Sequence, residues 1–195
     1  MKPNVTKENH RYQRWLIQSS EQRVLEIIFR WPEKEMSLSD LAKEAGVAKS
    51  HIGLILGELK KAEMVTITKL SKIWRIKANQ QNVNFLKSKI VYNLNFIYQS
   101  RLVDFLNEHY GNPKAIILFG SFRRGEDLSN SDIDIAIETD EIEEYQVILL
   151  RVLENFEHLI GRHIQLHLFN RKTDLHVFNN IANGIVLSGF LEVKP

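Results

Sequence analysis

Lys114 to Phe119 is a continuous run, apolar after its first residue, that stops at Gly120-Ser121. After a polar stretch the chain alternates strictly from Asp132 to Glu138. An apolar run of that length without alternation reads as a strand buried on both faces, so the chain must supply a sheet with cover on each side. In the second run Ile133, Ile135 and Ile137 point one way, while Asp132, Asp134 and Ala136 point the other. Aspartates two apart on a strand have Cα atoms roughly 6.6 Å apart, with both carboxylates on the same face. Left alone they repel. A hard divalent cation such as Mg²⁺, which takes oxygen ligands and keeps room for phosphate, resolves that repulsion.

Gly120-Ser121 supplies a complementary half. A glycine between a buried strand and a helix start lets the backbone approach a ligand closely, since no Cβ intrudes. The serine hydroxyl and the first free N–H groups of the next helix then make a phosphate-sized anion site. Arg123 and Arg124 are candidates for further phosphate contacts.

These residues stand as Gly-Ser, ten intervening residues, then Asp-x-Asp, with Gly125 and Ser131 in fitting places. The pattern resembles the signature of the DNA polymerase β superfamily, above all its small stand-alone members, the minimal nucleotidyltransferases. The resemblance covers about residues 114–190. It implies a mixed sheet flanked by helices, with Mg²⁺ (or Mn²⁺) bridging Asp132 and Asp134 to a nucleoside triphosphate, ATP being the expected one. It also implies transfer of a nucleotidyl group to a hydroxyl acceptor. Family members usually carry a third carboxylate on the next strand. Here that strand is His163 to Leu168, and Gln165 falls where the acid would stand. Gln165 can offer a neutral oxygen to the metal but cannot act as a base. His167, two residues on, is the candidate base near neutral pH, against a plain hydrogen-bonding role. A helix from Tyr145 to Phe156, with Val147, Leu150 and Leu153 inward, is expected to cover the sheet. Leu175 to Ala182 and Ile185 to Leu187 read as a closing helix and strand.

The N-terminal half reads differently. Residues 1–80 hold 15 Lys+Arg against 9 Asp+Glu, whereas the remainder holds 11 against 15. A basic half beside an acidic half suggests two tasks. After a basic leader over residues 1–19, Glu21 to Arg30 has one apolar face, and Trp31-Pro32 ends it. Ser37 with Asp40 opens a short helix, Leu38 to Ala45. Gly46 stops it, and a further helix runs from Lys49 to Ala62. Two β-prone runs, Met64 to Thr68 and Ile73 to Ile76, are joined by a turn at Lys69 to Lys72. Residues 20–78 therefore resemble a winged helix-turn-helix domain. The resemblance would bring Lys49, Ser50 and His51 to DNA or RNA at the start of the recognition helix, and Lys69, Lys72 and Arg75 to phosphates from the wing. That helix has no Arg or Asn, which makes it a poor base reader. A protein-binding role stays open beside the nucleic-acid one.

Residues 79–111 read as a linker and one long connecting helix, with Leu86, Ile90, Leu94, Ile97, Leu102 and Leu106 on a single face. Residues 112–195 are the expected transferase domain, giving a two-domain α+β protein. With no cysteine there is no disulfide and no thiolate metal site. No apolar run approaches the roughly 18 residues of a membrane span, so a cytoplasmic protein without a membrane partner is expected. Three functions fit this reading. One is an active nucleotidyltransferase delivered by its winged domain to a nucleic acid or a protein acceptor. Another is a DNA-binding regulator whose degenerate transferase domain senses nucleotide. The third is an antitoxin that modifies a HEPN-domain toxin.

Overall fold

The computed structural model describes residues 19–70 and 73–192. The basic leader, apart from Ser19, and Lys72 of the hairpin turn lie outside the described residues. Helix α1, Ser20–Arg30, is fixed at its start by Ser19. The Ser19 Oγ accepts from the Gln22 N–H at 3.2 Å, and Gln22 Oε1 accepts from the Ser19 N–H at 2.8 Å. Its Val24, Ile28 and Phe29 enter the first core. A two-residue strand β1, Met36–Ser37, leads into α2, Leu38–Ala45. Ser37 caps α2 by accepting from the Asp40 N–H at 3.1 Å. Gly46, in the left-handed region at φ 61°, ends it. Helix α3, Lys49–Lys61, buries Ile52, Ile55, Leu56 and Leu59.

Strands β2, Val65–Leu70, and β3, Ile73–Ala78, form an antiparallel hairpin, and β1 adds to the far side of β3 to give the order β1-β3-β2. Met36, Val65 and Ile76 close the core from the sheet side. The strands run further than expected, so Lys69 lies within β2, opposite Trp74, and not in the turn.

Helix α4, Val83–Gln99, and helix α5, Leu102–His109, replace the single long helix expected over residues 85–110. Arg101 at φ 63° breaks them, and the Ser100 hydroxyl bonds back to the Ile97 carbonyl at 2.9 Å. The break turns Leu102, Val103 and Leu106 into the second core beside Ile97. The buried stripe of α4 also differs from the expected one. It is Phe85, Lys89, Asn93 and Ile97, while Leu86, Ile90 and Leu94 are only half-buried.

The second half continues with β4 (Ala115–Phe119), α6 (Gly120–Arg124), β5 (Ile133–Glu138) and β6 (Gln146–Ile148). A 3₁₀ turn at Arg151–Leu153 then runs into α7 (Glu154–Ile160), followed by β7 (Ile164–Phe169), α8 (Leu175–Ala182) and β8 (Ile185–Gly189). The helix expected over residues 145–156 is therefore corrected: only its end, from Glu154, is α-helical. Gln146, Val147 and Ile148 instead pair antiparallel with β7, which a β-branched run favours. Val147 is exposed, and Leu153 takes the core position.

The sheet order is β6-β7-β5-β4-β8, with β5 and β7 parallel and the other pairs antiparallel. Ile133, Ile135 and Ile137 pack on one face with residues of α4, α5 and α7. Ala136, Ile117 and Phe169 pack on the other against Ile181 of α8. Among the described residues no helix is long and apolar enough to cross a membrane.

Candidate active site

The strand register assembles the site. Asp134 on β5 stands between Phe119 of β4 and Gln165 of β7, and His167 is the partner of Ala136 one step along. Asp132 precedes β5 directly. Because side chains alternate, Asp132, Asp134, Gln165 and His167 share the sheet face that α8 covers. Gln165 Nε2 lies 2.5 Å from Asp132 Oδ2 and donates to it. His167 Nε2 lies 3.3 Å from Asp134 Oδ1, and its Nδ1 is 2.5 Å from the Tyr145 hydroxyl. One tautomer satisfies both contacts: the tyrosine hydroxyl donates to Nδ1, and Nε2–H donates to the carboxylate. Burial, and secondarily the charge of Asp134, raise the Tyr145 pKa above its ordinary 10.0, which keeps the phenol a neutral donor. The edge of the Phe119 ring closes over the imidazole at 4.8 Å between centroids. His167 is 8% exposed.

Gly120 joins the two halves of the motif. Its φ is 72°, and a Cβ built there would overlap Asp134 Oδ2 and stand 2.9 Å from Asp134 Cγ. The carboxylate thus rests on the glycine Cα, and no other residue type fits that contact. Ser121 follows it in the short helix α6. Gly120, Arg123 and Arg124 line a cleft of about 320 Å³ with Phe119, Asn180 and Asn183. Arg124 is held by Glu126 at 2.7 Å, whereas Arg123 Nε is buried with no hydrogen-bond partner. A wider opening of about 750 Å³ lies at the Asp132 end, bordered by Ser131, Glu157 and His163 among others.

Two carboxylates with the amide oxygen of Gln165, reachable by turning its amide, are oxygen donors of the type a hard divalent cation takes. Among the described residues no group of three or more acidic or histidine side chains stands ready for a metal. The donor set fits one cation that draws its remaining ligands from phosphate.

Residues 99–187 match the family model of the nucleotidyltransferase domain. That match runs from the end of α4 into β8 and contains every residue of this face. It supports nucleotidyl transfer as the general activity. No curated protein matches the chain.

In the N-terminal half Lys49, Ser50 and His51 are exposed at the start of α3, as is Leu54. Two hairpin cations have partners: Lys69 Nζ sits 4.0 Å above the Trp74 ring, and Arg75 pairs with Glu35 at 3.3 Å. Tyr145 is the site residue that sequence reasoning missed. The sequence pattern places it in a helix, which hides its place beside the β7 edge. Asn180 and Asn183 also escape sequence reasoning; three apart, in the last turn of α8 and at its C-cap, they offered their spacing as the available signal.

Proposed function

We propose that the chain is a metal-dependent nucleotidyltransferase that moves a nucleotidyl group, AMP from ATP by expectation, onto a hydroxyl acceptor. The contact of Gly120 with the Asp134 carboxylate carries this reading, because it sets a phosphate-binding turn directly against a metal-binding acid. Asp132 and Asp134 hold the cation, with Gln165 as a neutral third donor. When bound, the cation neutralises triphosphate charge and polarises the phosphorus to be attacked. The Gly120-Ser121 turn meets phosphate oxygens through backbone N–H groups, and Arg123 and Arg124 add charge there. His167 serves as an orienting group: its two nitrogens are taken by Asp134 and Tyr145, so it holds the carboxylate in place and removes no proton from the acceptor.

Calorimetry tests the metal role. Asp132→Asn and Asp134→Asn should each weaken Mg²⁺·ATP binding at least about tenfold, which is 1.4 kcal/mol. Equal affinity in wild type and both variants would remove the metal site. Incubation with labelled ATP and cell extract then separates the remaining readings. Label entering protein or RNA marks an enzyme, and a protein target fits the antitoxin role. Binding without transfer marks a nucleotide-sensing regulator.

For residues 20–78 the order α1-β1-α2-α3-β2-β3, with sheet order β1-β3-β2, supports a winged helix-turn-helix that binds duplex nucleic acid. Its sequence preference is weak, since α3 presents Lys49, Ser50 and His51 and no Arg, Asn or Gln to read a base edge with a planar fork. Lys69 must leave Trp74 to reach a phosphate, at a cost of about 0.5–1 kcal/mol for an exposed cation–π contact. Affinity should fall steeply with salt, and Lys69→Glu with Lys72→Glu should weaken binding to every sequence alike. Tight binding to one operator that survives high salt would overturn this.

A further inference from the structure

The chain leading into Asp132 is anchored to a buried charge cluster. Asp127 is fully buried, and so nearly are Lys89 and Asn93 of α4, each 1% exposed. Asp127 Oδ1 lies 3.1 Å from Lys89 Nζ and accepts from Asn93 Nδ2 at 2.9 Å. Asp127 Oδ2 is 2.8 Å from Arg162 Nη2 but makes no aligned hydrogen bond, so that contact is ionic. Lys89 donates as well to the Asp127 carbonyl, and Asn93 donates to the Phe122 carbonyl at 2.8 Å. Burial pulls the pKa of Lys89 and of Arg162 below the ordinary values, against the opposing pull of Asp127.

From this cluster, short links run to Asp132. Arg162 Nη1 donates to the Leu128 carbonyl, which also accepts the Ser131 N–H at 3.1 Å. Ser131 Oγ accepts the Leu128 N–H at 2.9 Å, and the next residue is Asp132. On the far side Arg162 leads into His163, whose carbonyl accepts the Ile133 N–H at 2.8 Å. Asp132 is therefore pinned from both neighbours. The same residues reach the N-terminal half. Arg162 Nη2 donates to the Arg30 carbonyl at 3.3 Å, and Arg30 Nη2 donates to the Leu159 carbonyl at 3.0 Å. The Glu33 carboxylate accepts from the Ser129 N–H at 3.3 Å and from its hydroxyl.

We propose that Asp127, Arg162 and Glu33 are positioning residues for Asp132, so that the N-terminal half completes the metal–nucleotide site of the second half. The inference rests on reading Asp132 as a metal ligand. Burying one acid between two cations adds little net stability over apolar packing. What such a network supplies is one fixed geometry. That geometry is transmitted through the Leu128 carbonyl, four residues before the carboxylate, and the His163 carbonyl, which holds the residue after it. Glu33 and Arg30 belong to the N-terminal half, so undocking that half would free the Leu128–Ser131 loop on one side.

The experiment uses the full chain with Glu33→Ala, an exposed change, and Arg162→Lys, which keeps the charge and loses the forked reach. Amide hydrogen exchange at Leu128, Ser131 and Ile133 is read without ligand, and binding of Mn²⁺·ATP is read by calorimetry. Glu33→Ala should leave the thermal midpoint nearly unchanged, speed exchange at the three amides and weaken Mn²⁺·ATP about 3- to 30-fold. Arg162→Lys should do both more strongly. Unchanged exchange in both variants overturns the proposal, as does faster exchange with unaltered affinity. A wild type that binds no Mn²⁺·ATP would refute the metal reading instead. The exchange data alone would then decide whether the anchoring exists.

Discussion

Asp127→Ala is expected to destabilise the chain by about 3–5 kcal/mol, because it leaves buried charge without its partner. Asp127 is the one acid between two cations, with Lys89 Nζ 3.1 Å from one oxygen and Arg162 Nη2 2.8 Å from the other. Removing it strands both, at side-chain exposures of 1% and 4%. Lys89→Met should cost much less, since the remaining Asp127–Arg162 pair is balanced and Asn93 still donates to Asp127. Urea unfolding of the two variants, compared at equal m-value, reads the difference. If the two substitutions cost the same, or if Asp127→Ala costs under about 1 kcal/mol, the backbone carbonyls of residues 127 and 128 would suffice to hold the two cations and the carboxylate would not be their necessary partner.

That cluster also marks where sequence reasoning stopped. Lys89 and Asn93 stand four apart between Phe85 and Ile97, and all four face inward. Read by hydropathy, the stripe shifts to Leu86, Ile90 and Leu94, which are only half-buried. Amphipathic periodicity finds apolar faces and is blind to polar residues buried by pairing. The partners Asp127 and Arg162 come from distant segments, so no local pattern announces them. The break at Arg101 was hidden for a related reason: a left-handed arginine has no sequence signature comparable to a glycine.

By contrast, the bounds of α2 and α8 were legible. Ser37 and Gly46 bracket α2, and Asp174, which accepts from the His176 N–H, and Asn183 bracket α8, so the residues at the ends decide them. The shared face of the two carboxylates was legible for the same kind of reason. Strict alternation in Asp132 to Glu138 leaves one way to face the isoleucines inward, and the carboxylates follow. What alternation could not give was register between strands. The neighbourhood of Asp134, Gln165, His167 and Tyr145 depends on β5 running parallel to β7 and on β6 closing the edge.

Gln165→Glu should convert the site from two carboxylates to three, and its effect should change sign with the metal. The amide donates to Asp132 Oδ2 at 2.5 Å, and Gln165 is the register partner of Asp134. Glutamate has the same reach, so its oxygen would meet the Asp132 carboxylate where an N–H now stands. Without divalent cation three adjacent carboxylates repel, and one of them gives up its charge by holding a proton. The thermal midpoint of the metal-free variant should therefore lie below that of the wild type. With Mn²⁺ the added charge becomes a ligand. The midpoint should then rise more than in the wild type, because a tighter ligand stabilises in proportion to the logarithm of its saturation. If nucleotidyl transfer is limited by the absence of a positioned base, the rate should also rise on the order of 10²-fold or more. The thermal readout stands without that activity. A variant whose midpoint responds to Mn²⁺ as the wild type does would place Gln165 outside the metal's reach. A variant stabilised by Mn²⁺ but no faster would mean that the missing acid limits metal binding and not proton removal.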